Sequence, residues 1–142
     1  MDPISNAIEL TDVGYKAGES FEIRNLTVKV PYGSIYGFLG PNGSGKTTTI
    51  RLFTGMHRPL RGEISVLGYT IPKEAPRALA KVGYVPETPH LYKALTIEES
   101  IRYHSAFYKT FDQAWAGELL GRMRLKHDQR IGRLSKGETA AP

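Results

Sequence analysis

A chain of 142 residues, 40% of them hydrophobic, is long enough to bury the core of one domain, and 19 Lys plus Arg against 14 Asp plus Glu leave a formal charge of +5 that suits an anionic ligand or a membrane surface. Zero cysteines exclude disulfides and thiol chemistry, and His57, His90, His104 and His127 stand singly, which argues against a structural zinc site. No run approaches the roughly 20 apolar residues of a membrane span and no basic-then-apolar leader opens the chain, so a cytoplasmic location is expected.

In chain order, Ala7 to Val13 reads as a short strand and Gly14 to Ser20 as a turn. Phe21, Ile23, Leu26, Val28 and Val30 form a second strand whose phase changes between Ile23 and Leu26, so a bulge is expected near Arg24-Asn25. Pro31-Tyr32-Gly33 turns into an apolar run, Ile35, Tyr36, Phe38 and Leu39, expected to be a strand ending at Gly40. There the pattern G-x-x-x-x-G-K-[ST] is filled by Gly40, Gly43, Gly45, Lys46 and Thr47. Its glycines free the backbone for positive φ, so that successive N–H groups converge on an anion, and the helix opening near Lys46 adds its positive end. The implied ligand is a polyphosphate. Lys46 would supply a cation to the β and γ phosphates, and the Thr47 hydroxyl would complete the shell of a bridging Mg²⁺.

The helix after this loop should run from about Gly45 to Phe53 and stop near Gly55, with Pro59 and Gly62 as breakers. Glu63 to Leu67 is read as a strand closed by Gly68, Arg77 to Lys81 as a brief helix, and Val82 to Val85 as a further strand whose first following side chain is Glu87. Beyond it the chain turns helical. Thr96 and Glu99 form a capping box, with Ile97, Ile101, Phe107 and Tyr108 available to pack and Glu98, Arg102, Ser105 and Lys109 on a polar stripe. Asp112 can cap a last helix with Trp115, Leu119, Leu120 and Met123 toward the core. The densest basic segment, Arg122, Arg124, Lys126, Arg130 and Arg133, reads as a solvated face, and no nucleic-acid partner is expected.

With these landmarks in place, the chain resembles the nucleotide-binding subunit of ATP-binding cassette (ABC) transporters, collinearly over about residues 5 to 138. GPNGSGKTTT is similar to the family's Walker A loop, which implies nucleotide contacts from Gly40, Asn42, Gly43, Ser44, Gly45, Lys46, Thr47 and Thr48. Tyr15 falls at the family's adenine-stacking aromatic; on its own it reads equally as a turn aromatic. Val82 to Glu87 resembles the Q-loop with Glu87 in place of Gln, as in ABC-2-like drug and antimicrobial-peptide exporters, which makes Glu87 a candidate catalytic residue and, with Thr47, a candidate Mg²⁺ ligand. Leu134-Ser135-Lys136-Gly137-Glu138 resembles the signature LSGGQ, whose Ser135 and Gly137 would face the γ-phosphate held by an opposite cassette.

The resemblance implies a mixed α/β fold of the P-loop NTPase class. Residues 1–88 would hold an N-terminal antiparallel β part and a P-loop strand–helix core with an incomplete sheet, residues 89–136 a helical subdomain, and residues 137–142 a tail outside the family pattern. It implies ATP and Mg²⁺ as cofactors, a second cassette and a transmembrane permease as partners, a peripheral place at the inner face of the cell membrane, and an ATPase that energises transport, with export favoured. The Asp-Glu strand and switch histidine of the family do not follow Glu138, so a truncated cassette is expected, and turnover by these 142 residues alone is not. The competing readings are an ABC ATPase acting on nucleic acid or ribosomes, and an inactive nucleotide-binding remnant. A GTPase would carry Asn-Lys-x-Asp, and no Asn-Lys occurs.

Overall fold

The computed structural model describes residues 5–135, which fall into two compact units, one up to Gly83 and one from Tyr84 onward. In the first, strands β1 (Asn6–Ala17), β2 (Phe21–Pro31), β3 (Arg61–Val66) and β4 (Tyr69–Ile71) form an antiparallel sheet in the order β2-β1-β3-β4. Helices α1 (Lys46–Phe53) and α2 (Ala75–Leu79) complete the unit. Leu10 and Val13 of β1, Ile64 and Val66 of β3, Ile71 of β4, Leu52 of α1 and Ala78 of α2 make one buried cluster. Burying a side chain of Leu or Ile size stabilises by about 1.5 to 3 kcal/mol, so the α1–sheet contact is set by which residues of each strand point inward.

That phase changes midway along the β1–β2 hairpin. Leu10 pairs with Val28, Val13 with Leu26 and Tyr15 with Ile23, so each strand carries one extra residue, β1 at Thr11-Asp12 and β2 at Arg24-Asn25. Asp12 (φ 53°) and Asn25 (φ 51°) take up the left-handed backbone that Asp and Asn tolerate best. The expected bulge at Arg24-Asn25 is therefore present. The expected turn at Gly14 to Ser20 is not: β1 continues through Ala17, because β2 supplies ladder partners as far as Phe21.

Four other local readings are corrected. Residues 34–41 form no strand; Leu39 is 93% exposed and Ile35 fully so, because no strand among the described residues pairs with this run. Val82 to Val85 is likewise irregular. Beyond the expected strand a fourth one, β4, pairs with β3 across the two-residue turn Leu67-Gly68, both at positive φ. The following helix begins at Ala75 rather than Arg77, since Pro76 lies in the first turn, where its missing N–H leaves no gap.

The second unit holds α3 (Ile97–Ser105), α4 (Gln113–Arg122) and a 3₁₀ turn at Ile131–Arg133, with an isolated bridge between Thr96 and Arg130. Its core is Ile97, Leu120 and Ile131, with Leu91, Ile101, Leu125 and Leu134 packed around them. The capping box is formed: Glu99 N–H donates to Thr96 Oγ1 (3.2 Å) and Thr96 N–H to Glu99 Oε2 (2.8 Å). Asp112 Oδ1 accepts from Trp115 N–H at 2.8 Å. Trp115, Phe107 and Tyr108 are exposed, contrary to the packing expected of them: α3 ends at Ser105, and the Trp115 ring lies under the Arg122 guanidinium, 5.3 Å away. No helix of the described residues is long and apolar enough to cross a membrane.

Candidate functional site

The glycine-rich loop leads into α1. Pro41 O accepts from Ser44 N–H at 3.2 Å, which closes a turn, and Gly43 (φ 81°) and Gly45 (φ 94°) both lie in the left-handed region. Gly45 is the N-cap residue. Its carbonyl takes the first helical bond, from Thr49 N–H (2.8 Å), and a second from the Thr49 hydroxyl (3.0 Å). The N–H groups of Lys46, Thr47 and Thr48 therefore precede the first i→i−4 acceptor. No side chain caps them, and the first turn holds no acidic residue. A helix start with three unspent donors and no internal anion is suited to bind one from outside.

Lys46 folds back over the loop, its Nζ donating to Gly40 O (2.6 Å) and Pro41 O (2.8 Å). The ammonium charge is thus held at the loop by two carbonyl dipoles, from which an anion can draw it. Thr47 is exposed on the first turn, Thr48 is half-buried, and Asn42 and Ser44 are exposed. Gly40 lies against Ser44, whose Oγ would stand 2.7 Å from a Cβ placed there. The donor set and the cation fit a polyphosphate.

Behind the loop, a Cβ on Gly45 would stand 3.0 Å from Phe21 Cζ and 3.5 Å from Ile23 Cδ1, so β2 backs the anion end of α1. Directly opposed residues of an antiparallel pair share a face, and Ile23 is opposed by Tyr15. Tyr15 consequently stands on the loop's face of the sheet, half-buried, with its ring stacked on that of His57 at a centroid distance of 5.1 Å and 15° between planes. Tyr15, Gly40, Asn42, Gly43, Ser44, Gly45, Lys46, Thr47 and Thr48 all belong to the first unit. His57, Phe21 and Ile23 are the neighbours that reading the sequence for motifs leaves out; the only sign of Phe21 and Ile23 was their place ahead of the phase change.

Glu87 and Ser135 belong to the second unit, where Glu87 is an exposed residue of an irregular stretch and Ser135 ends the described chain. Gly137 lies outside the described residues. Lys126, Asp128, Gln129, Arg130 and Arg133 line an open hollow of about 440 Å³ in the same unit. Among the described residues no three His, Asp or Glu side chains group into a metal site, so a cation at the loop would draw its ligands from a bound phosphate and single side chains such as Thr47.

A family model described as ABC transporter matches residues 23–141. The chain is 32% identical over 136 residues to the bacitracin transport ATP-binding protein BcrA of Bacillus licheniformis, covering 94% of this chain and 44% of that protein. It is 33% identical over 135 residues to a Nod factor export ATP-binding protein I of Burkholderia orbicola, covering 92% and 44%. Among solved structures, the ATP-binding subunit of an ABC transporter superposes with a TM-score of 0.81 at 29% identity, over 95% of this chain and 58% of that one. The chain thus spans less than half the length of these two curated relatives.

Proposed function

We propose, from the premise that this chain belongs to the ABC transporter family of ATP-binding cassettes, that it binds ATP with Mg²⁺ through the loop Gly40 to Thr48 as part of the nucleotide-binding subunit of an exporter. The observation that carries the proposal is the uncapped start of α1, three unspent N–H donors beside a lysine ammonium held only by loop carbonyls. An anion placed there gains charge-assisted bonds from Lys46 and from the backbone together. The matched relative named for Nod factor export supports an export role, and the one named for bacitracin transport supports a transport role.

Tyr15 takes the adenine by stacking, in this reading, and Thr47 offers its hydroxyl to Mg²⁺, which when bound draws charge from the phosphate oxygens. Glu87 is assigned to the same ion, and Ser135 and Gly137 to the γ-phosphate of a partner cassette, on their places in the family pattern. Residues 1–88 then act as the nucleotide-holding core and residues 89–136 as the helical subdomain, working peripherally at the inner face of the membrane against a permease. Hydrolysis in the assembled protein needs a carboxylate to orient water, for which the sequence up to Pro142 offers only Glu87 at a family position.

The test is a calorimetric titration of the purified chain with Mg²⁺–ATP, compared with Lys46→Ala and, as controls, Lys16→Ala and Lys73→Ala. Lys46→Ala should lose binding while both controls keep it. Equal affinities for all four proteins would remove the phosphate-loop reading.

A further inference from the structure

Resting on that nucleotide reading, we infer that His57 is a second ring of the base site, forming with Tyr15 a two-ring platform on which the purine is held. Tyr15 is half-buried against the core cluster, and its ring lies nearly parallel to the imidazole, 15° between planes at 5.1 Å. A base arriving on this face therefore meets a stack and not a lone phenol.

The backbone fixes where the imidazole stands. Gly55 ends α1 in the left-handed conformation (φ 75°), its N–H bonded to Leu52 O at 3.0 Å, and a Cβ there would lie 2.9 Å from that of Ala75. His57 N–H then returns to Arg51 O at 3.0 Å, so the residue is tied to the last turn of the same helix whose first turn faces the anion. Loop and platform thus lie at the two ends of one helix, the anion-facing N–H groups at its start and the ring pair after its end. Tyr15 closes the arrangement from β1, opposite the Ile23 that backs Gly45.

Two consequences separate this role from packing alone. A ring that holds a base strengthens nucleotide binding without touching a free polyphosphate, whereas a ring that merely stabilises the fold affects both ligands alike. The contact is also made through π-faces, so any planar ring at position 57 should serve.

The experiment titrates the 142-residue chain and its His57→Ala, His57→Phe and Tyr15→Ala variants with Mg²⁺–ATP and with Mg²⁺–tripolyphosphate. His57→Ala is expected to weaken ATP about 3- to 10-fold and leave tripolyphosphate unchanged, His57→Phe to bind like the parent, and the double variant His57→Ala/Tyr15→Ala to lose less than the two single losses combined. Unchanged ATP binding by His57→Ala would overturn the inference while leaving the loop reading intact, and tighter binding would overturn it by showing that the imidazole competes with the base. An equal loss of both ligands in His57→Ala also overturns it. A parent chain that binds neither ligand overturns the nucleotide reading and this inference with it.

Discussion

Replacing Gly45 by Ala probes the left-handed N-cap of α1 and its packing on β2. Gly45 sits at φ 94°, ψ 6°, and a side chain there would press on Phe21 Cζ at 3.0 Å. Left-handed backbone costs a residue with a Cβ about 1 to 2 kcal/mol. Crowding adds about 1 kcal/mol more, near the low end for overpacking because the half-buried Phe21 can yield by a few tenths of an ångström. The expected destabilisation is therefore about 2 to 3 kcal/mol, a large part of an ordinary domain's stability. Gly43→Ala, at φ 81° in open space, should lose only the backbone share, about 1 to 2 kcal/mol. Gly37→Ala, with no positive φ and nothing within 4 Å, should stay within about 0.5 kcal/mol of the parent. Urea unfolding followed by circular dichroism gives all three differences in one series. If Gly45→Ala cost no more than Gly37→Ala, or less than Gly43→Ala, the left-handed N-cap packed on β2 would be refuted.

Gly62→Ala should be the most damaging single methyl in the first unit, because a Cβ at φ 79° would stand 2.5 Å from the Thr11 and Asp12 carbonyl oxygens, backbone atoms that cannot swing away; about 3 kcal/mol or more is expected in the same urea series, and a cost equal to that of Gly18→Ala (φ 61°, open space) would contradict the β1–β3 register. In the second unit the Glu99 carboxyl is held below the usual carboxylate range, chiefly by the Thr96 backbone N–H it accepts, so its contribution is present at neutral pH and fades as pH falls through that lowered value. Glu99→Gln should therefore melt below the parent at pH 7 and converge with it in acid, as followed by thermal melts from pH 7 to 3; a gap that widened on acidification would reverse the sign argued here.

The parts legible in the sequence are those decided within a few residues. The left-handed glycines Gly43 and Gly45 ahead of a helix at Lys46, the capping box of Thr96 and Glu99, and the end of α1 at Gly55 are each stated locally, and each of these backbone features forms. Ile35 to Leu39 has the composition of a strand, but a strand exists only with ladder partners, and those are a property of the whole sheet. Tyr15 is the converse case. Gly14 beside it reads as a turn, and only the pairing with Ile23 shows that the chain is still in a strand there. His57 was invisible for the same reason, since nothing local marks a histidine that stacks on a residue 42 positions earlier.

The paired bulges explain why that strand end is useful. Along an unbroken ladder the face alternates with period two, so a strand with Leu10 pointing inward would put Asp12 and Gly14 inward and turn Tyr15 away. The extra residue at Thr11-Asp12 shifts the phase, and Val13 is buried and Tyr15 follows it onto the same face; the extra residue at Arg24-Asn25 does the same for Ile23 relative to Leu26. One bulge alone would bring Tyr15 or Ile23 to the α1 side without its partner. Both are anchored: Asp12 N–H donates to the Thr27 hydroxyl at 3.1 Å, and Asn25 Oδ1 accepts from Arg61, whose side chain reaches from β3 across Gly14. A Cβ at Gly14 would stand 2.7 Å from Arg61 Nε, so the glycine beside Tyr15 is the trough that lets β3 hold the bulge of β2 in place. The odd spacings Leu10 to Val13 and Ile23 to Leu26 thus set the aim of the aromatic pair, and Tyr15 meets His57 because both strands of the hairpin miss the same step.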